Sequence, residues 1–182
     1  MLDLSIIIVS YNTRDLTLKC IESVFKLTEG ITLEVIVVDS STDQTPHLIE
    51  KQFPGVILIH RDAQTYPGAG RNIGAEHAKG KILAFIDSDC IASEDWLDKA
   101  VSSLKQGYSI VGGGVGNANP GIISWPDYFL AFNEFLPTMP RREVQFMPTC
   151  NFFITSKAFQ EIGRFRSDLF AAEDTMFCCA AR

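Results

Sequence analysis

Two carboxylates, Asp87 and Asp89, flank Ser88 directly after the apolar run Ile82-Leu83-Ala84-Phe85-Ile86. Where a buried strand stops, both acids can turn toward one cleft. Carboxylate oxygens are hard donors and suit Mg2+ or Mn2+ rather than a soft metal. A cation held between them can bridge to a diphosphate and neutralise it. A lone D-x-D also serves as turn chemistry or as a helix cap; its place at the end of a buried strand favours the cation reading. The segment is no EF-hand, because no glycine and distal glutamate follow at the required positions.

A second acid, Asp39, closes the apolar run Leu33 to Val38 and opens the polar loop Ser40-Ser41-Thr42-Asp43-Gln44-Thr45. Asp39 can accept a hydrogen bond from a nucleobase N–H or a ribose hydroxyl. Asp43 or Thr45 fits a cap for the helix that begins near Pro46, so Asp43 is read mainly as structural. Gly68-Ala69-Gly70-Arg71-Asn72-Ile73-Gly74 has the look of a dinucleotide fingerprint. That motif belongs directly after the first strand of its fold. Here Tyr11-Asn12-Thr13 stands after the first strand, and the glycines come only after the third, so the dinucleotide reading is rejected. With no Lys-Ser/Thr end the segment is no P-loop either. Arg71 is expected in the first turn of a helix; a cation there opposes the helix dipole, which points to an anion facing it. Glu173-Asp174 stands at or near the start of a final helix. Two readings stay open: acids complementing the dipole, or a general base on an acceptor hydroxyl. His47, His60 and His77 are scattered and given no ligand role.

The elements that must position these groups alternate. Leu4–Ser10 is a near-continuous apolar strand, of the kind covered on both faces. Thr13 can cap a helix with Leu16, Cys20, Ile21, Val24 and Phe25 at helical spacing. Strand Leu33–Val38, helix Pro46–Gln52, strand Val56–Ile59, helix Gly70–Ala78 and strand Lys81–Ile86 follow. Helix Glu94–Lys105, capped by Ser93 with Asp95 in its first turn, leads to a strand starting at Ser109–Val111 that runs into Gly112-Gly113-Gly114. Four such alternations with short links predict an α/β fold: a Rossmann-like, mostly parallel sheet with helices on both faces. Ligands of such sheets bind outside the carboxyl ends of the strands, where Ser10 to Asn12, Asp39 to Asp43 and Asp87 to Asp89 all fall. Beyond residue 114 a strand is expected within Phe146–Thr155 and a short helix over Lys157–Ile162. Trp125, Phe129, Phe132 and Phe135-Leu136 have helical spacing, with Pro126 suited to the first turn and Pro137 ending the helix, and are read as core or a domain contact. Exposed, such a stripe would suit a lipid-linked acceptor or a membrane surface.

The 182 residues suggest one domain and suffice for a sizeable core. A net charge of −6 argues against nucleic acid as a partner, because that needs a basic face. Any phosphate site must rest on a few local cations, helix N-termini or a metal ion. The five cysteines, Cys20, Cys90, Cys150, Cys178 and Cys179, show no zinc-ligand spacing and read as buried thiols of a reducing compartment. No stretch looks like a signal peptide or is apolar enough to span a bilayer. The expected setting is the cytoplasm, or the inner face of a membrane.

In order, Ser5-Ile6-Ile7-Ile8-Val9-Ser10-Tyr11-Asn12, Val37-Val38-Asp39-Ser40-Ser41-Thr42-Asp43-Gln44-Thr45, Gly70-Arg71-Asn72-Ile73-Gly74, Phe85-Ile86-Asp87-Ser88-Asp89 and Glu173-Asp174 resemble the family 2 glycosyltransferases of GT-A fold. The resemblance spans nearly the whole chain. It implies a nucleotide-sugar donor, expected as a UDP-sugar, a divalent Mn2+ or Mg2+, a saccharide or lipid-linked acceptor, and transfer with inversion. It assigns donor contacts to Ser10, Tyr11, Asn12, Asp39, Arg71, Asp87 and Ser88, with Asp39 on the base and Arg71 near the diphosphate. Asp89 and Asp87 would hold the metal, and Asp174 would be the base. It divides one GT-A domain, 1–182, into a nucleotide-binding half, 1–114, and an acceptor-side half, 115–182. The loop after Asp39 is one residue shorter than the family pattern and lacks its glycine. The chain's end at Arg182, eight residues past Asp174, is expected to be a truncation. The competing readings are a sugar-nucleotide pyrophosphorylase, whose glycine-rich basic loop Tyr11-Asn12-Thr13-Arg14 does not supply, and a donor-binding module without catalysis.

Overall fold

The computed structural model describes residues 3–27 and 30–181. Six strands make one sheet in the order β3-β2-β1-β4-β6-β5. β1 (Leu4–Ser10), β2 (Leu33–Asp39), β3 (Val56–His60) and β4 (Ile82–Asp87) run parallel. β6 (Phe152–Thr155) is antiparallel to both β4 and β5 (Ile110–Gly112). The later strand β6 thus lies between β4 and β5, a pairing that strand–helix alternation does not encode.

Along β1 the side chains divide by parity, as a pleated strand requires. Leu4, Ile6 and Ile8 enter one core with Val35, Val37, Ala84, Ile86 and Phe153. Helices α1 (Arg14–Phe25), α2 (Thr45–Gln52) and α4 (Trp96–Lys105) supply Cys20, Ile21, Val24, Ile49, Trp96 and Leu97 to it. Ile7 enters the opposite core with Leu83, Phe85, Phe152 and Ile154. There α6 (Ser156–Ile162) and α7 (Glu173–Ala180) bring Phe159 and Phe177, and the loop between them brings Phe165. Phe165 and Phe177 lie 4.6 Å apart by ring centroid, and Phe165 meets Phe85 edge-on at 5.4 Å. These rings fasten α7 to the sheet.

α3 (Pro67–His77) lies on the same face and almost touches β1. A Cβ on Gly70 would sit 2.7 Å from Val9 Cγ1, and one on Gly74 2.5 Å from Ile7 Cγ2. The glycines that mimic a fingerprint are therefore contact residues, bringing the α3 backbone onto the strand. Helix starts and caps differ from the sequence reading. α3 starts three residues earlier, at Pro67, so Arg71 lies in its second turn. α4 starts at Trp96; the Ser93 hydroxyl bonds Asp95 at 3.1 Å instead of capping it. Thr13 does flank α1 but makes no side-chain cap.

α5 (Ser124–Phe132) ends before Phe135 and buries none of its residues. Trp125 is 43% and Phe129 46% exposed, so the core reading of this stripe does not hold. Among the described residues no helix is long and apolar enough to cross a membrane. No disulfide is formed: Cys20 and Cys150 are buried, Cys90 and Cys178 half-buried, and Cys179 exposed.

Gly74→Ala tests the close approach. Overpacking against Ile7 costs about 1–3 kcal/mol, partly offset by about 1 kcal/mol of helix propensity. The expected result is a lower urea midpoint at unchanged slope; an unchanged or higher midpoint would show that α3 can lift off β1.

Candidate functional site

The strand register brings the sequence-predicted polar residues to one edge. Ser10 is paired with Asp39, Asp39 with His60, and Val9 with Asp87. Above this edge two loops are stitched together. The Asn12 backbone N–H donates to Ser41 Oγ at 2.8 Å, and Asn12 Oδ1 accepts from the Thr42 N–H at 2.9 Å. Ser41 donates from its N–H to Asp39 Oδ1 at 3.0 Å and from its hydroxyl to Oδ2 at 2.7 Å. His60 Nδ1 stands 3.3 Å from Oδ1. Asn12 holds φ 53°, a left-handed conformation that asparagine tolerates better than most residues. Asp39 is 0% exposed and Ser10 is 1% exposed, with the Ser10 hydroxyl 3.0 Å from Thr17 Oγ1. These two, read as donor contacts, lie one layer beneath the surface and support Tyr11, Asn12 and Ser41. Tyr11 and Asn12 are exposed. Ser88 is buried, its hydroxyl 3.0 Å from Thr13 Oγ1, which ties the end of β4 to the start of α1. Asp43 accepts from the Thr45 N–H at 2.8 Å, the structural role expected of it.

The strongest interaction is at Arg71. Its Nη2 donates to Asp87 Oδ1 at 2.6 Å and its Nη1 to Glu173 Oε1 at 2.5 Å. Burial works against its charge, but the two carboxylates more than offset this and raise its pKa. The anion that Arg71 faces is thus a pair of protein carboxylates. The next residue, Asn72, donates to Phe165 O at 2.8 Å and accepts from the Phe165 N–H at 3.0 Å. Arg71 and Asn72 together dock the segment before α7 onto α3. No local pattern announces this docking: the partners lie 102 and 93 residues away.

Helix α7 carries the remaining acid. Glu173 and Phe177, one turn apart, are its two buried residues and face inward together. Asp174 is rotated off that face and half-buried. Its Oδ1 accepts from the Thr175 N–H at 2.7 Å, and the Thr149 N–H also bonds the carboxylate. Burial raises its pKa; the Glu173 charge adds to the rise, while these N–H groups and Arg71 moderate it. Glu173, not singled out from the pair in the sequence, is therefore the buried, ion-paired acid, and Asp174 the one left half-exposed.

Asp89 is exposed and follows Asp87 by two residues. Asp87 is joined through Arg71 to Glu173, the neighbour of Asp174, so acids from two distant segments share one end of the sheet. Among the described residues no three His, Cys, Asp or Glu side chains form a ready metal cluster. A divalent cation held by one or two carboxylates and completed by substrate phosphates needs no such cluster. Exposed Asp89 with the second oxygen of Asp87 fits that donor set. Cys20 and Cys150 border this region with raised pKa values, Cys20 through burial and Cys150 through a hydrogen bond with Cys90 and burial. Both stay as thiols and offer no ligand to a hard cation.

The family model described as Glycosyl transferase family 2 matches residues 5–163. Glycosyltransferase AglE of Haloferax volcanii is 29% identical over 178 residues, covering 93% of this chain and 58% of that protein. The crystal structure of Staphylococcus aureus TarS 1-349 in complex with UDP-GlcNAc superposes at TM-score 0.77 with 21% identity, covering 99% of this chain and 53% of that one. The mannosyltransferase PcManGT of Pyrobaculum calidifontis, in complex with GDP-Man and Mn2+, gives 0.73 at 21% identity over 96% and 50%. The chain thus spans about half the length of each. The fold expected from the motifs is the fold of these enzymes.

The raised pKa of Asp174 has a thermodynamic consequence. Between its unfolded and folded pKa the native state binds more protons, so stability falls as pH rises through that window. Asp174→Asn removes this penalty and can keep accepting from Thr149 and Thr175. The variant should have a higher urea midpoint than wild type at pH 7, with the gain vanishing below about pH 4. A variant less stable than wild type at pH 7 would contradict the electrostatics described.

Proposed function

Because the chain belongs to glycosyl transferase family 2, we propose that it forms the donor half of an inverting glycosyltransferase that moves a sugar from a UDP-linked donor to an acceptor hydroxyl. The observation that carries this is the Asp87–Arg71–Glu173 bridge, which links the D-x-D loop to the start of α7, where Asp174 stands. Residues 1–114 form the nucleotide side. Tyr11 and Asn12 offer an exposed ring and amide at the ends of β1 and β2, and Asp39 holds that loop from below through Ser41. The UDP-GlcNAc bound by TarS supports a uridine nucleotide.

Arg71 is already neutralised, so it brings little free charge to a diphosphate. That favours a divalent ion, which Asp89 and Asp87 would hold. Bound there, Mn2+ or Mg2+ would act as a Lewis acid on the departing diphosphate. Asp174 takes the proton of the acceptor hydroxyl as its oxygen attacks the anomeric carbon. The bond from that carbon to the diphosphate oxygen breaks, and its electron pair leaves with the nucleotide. Displacement from the side opposite the leaving group inverts the centre. A carboxylate with raised pKa is the stronger base, nearer the optimum for proton transfer at neutral pH.

Residues 115–182 are placed on the acceptor side. Trp125 and Phe129, one turn apart on α5, are 43% and 46% exposed, an apolar stripe suited to a lipid-linked acceptor or the inner leaflet of a membrane. The proposed setting is therefore cytoplasmic, with this face toward the bilayer.

Calorimetry with UDP tests the donor side. Binding in Mn2+ should weaken at least about tenfold in EDTA, and Asp89→Ala in Mn2+ should match wild type in EDTA. Asp174→Asn should bind UDP as wild type does and show no sugar transfer. Equal UDP affinity with and without metal would remove the metal assignment.

A further inference from the structure

Glu173 touches neither of the proposed reacting partners, yet it is among the most constrained side chains of the site. It is 6% exposed and its carboxylate meets Arg71 at 2.5 Å. The residue before it, Ala172, holds φ 65°, a left-handed conformation. A residue with a Cβ adopts this conformation only where the surroundings dictate it. Opposite Glu173, a Cβ on Gly68 would press on the Glu173 side chain at 3.2 Å and collide with the Arg166 carbonyl. The N-terminal turn of α3 thus closes directly over the start of α7. Simple dipole complementation needs none of this, since an acid in a first helical turn serves equally well exposed.

We infer that Glu173 and Arg71 are positioning residues: the Asp87–Arg71–Glu173 bridge fixes where α7, and with it Asp174, stands relative to the donor-side carboxylates. The inference rests on the proposed donor site at Asp87 and Asp89. A ligand that stiffens Asp87 also stiffens Arg71, and Arg71 passes that constraint to Glu173. Asp174 follows because it shares the first turn of α7 with Glu173. Glu173→Gln keeps the shape and the Arg71–Asp87 pair but removes the charge that anchors α7.

The test is hydrogen exchange of the α7 amides on the whole chain, with and without UDP and Mn2+, beside calorimetric UDP binding. In wild type, UDP is expected to slow α7 exchange about tenfold, within the range of ordinary site-to-site coupling. In Glu173→Gln the UDP affinity should stay within about twofold while that protection disappears, a split that a general loss of stability would not produce. Glu173→Asp, which keeps the charge on a shorter arm, should restore part of the protection, and it decides the matter if the Gln variant fails to fold. Asp174→Asn should keep the full protection, since its bridge is intact. Equal protection in wild type and in the Glu173 variants overturns the inference and leaves the donor site standing, as does UDP affinity lost in step with the protection. If the wild-type chain does not bind UDP, the donor site fails and this inference with it.

Discussion

A buried guanidinium sets the terms for this structure. Taking Arg71 out of water costs several kcal/mol, and a single carboxylate would have to recover that and its own desolvation. Two carboxylates, from β4 and α7, share the load at 2.6 and 2.5 Å. The arrangement has geometric requirements. α3 must lie close enough to β1 for Arg71 to reach over the sheet, which Gly70 and Gly74 permit. β4 must end at Asp87, and α7 must begin at Glu173. Asn72 adds a second attachment to the same incoming segment, so the docking does not depend on charge alone. Breaking such a pair from one side costs about 3–5 kcal/mol, because the partner is left charged and dry. The bridge thus makes the later part of the chain a fixed part of the site.

Around that frame, buried and exposed polar groups divide the work. Asp39, Ser10, Ser41, Ser88 and Thr17 are buried and bonded to one another or to neighbouring loops. Among the described residues no buried side-chain nitrogen or oxygen lacks a partner. A satisfied network of this kind is rigid, since each member would have to lose a bond to move. The groups left at the surface include Tyr11, Asn12 and Asp89, with Asp174 half-exposed, and they are held from below by the buried ones.

Much of the fold was legible because it depends on local pattern. Strands β1 to β4 announce themselves as apolar runs, and each ends at the polar residue that later lines the edge. Parity along β1 and β4 then assigns both cores. The failures share one cause, which is pairing at a distance. The insertion of β6 between β4 and β5 depends on a register with residues about seventy positions away. The glycines around Arg71 carry two meanings in sequence, phosphate loop or close packing, and only the facing Val9 and Ile7 decide between them. Arg71 itself was correctly read as facing an anion, but nothing local says that the anion is the protein's own. The aromatic stripe of α5 was read as core because helical spacing is silent on whether a partner surface exists.

The acids at this edge sort themselves by environment. Asp87 and Glu173 both bond the Arg71 guanidinium, one on each side of it. Asp89 is exposed and has no such partner on that bridge. Asp174 is partly desolvated and has the Glu173 charge beside it, so its proton affinity is raised. Environments that push neighbouring carboxylates apart in this way assign them different chemical roles. Arg71 is the common term: its single positive charge offsets one of the two carboxylates it bridges and so lowers the repulsion where β4 and α7 meet. The same ion pairs that stabilise the fold therefore hold Asp89 and Asp174 at one end of one sheet.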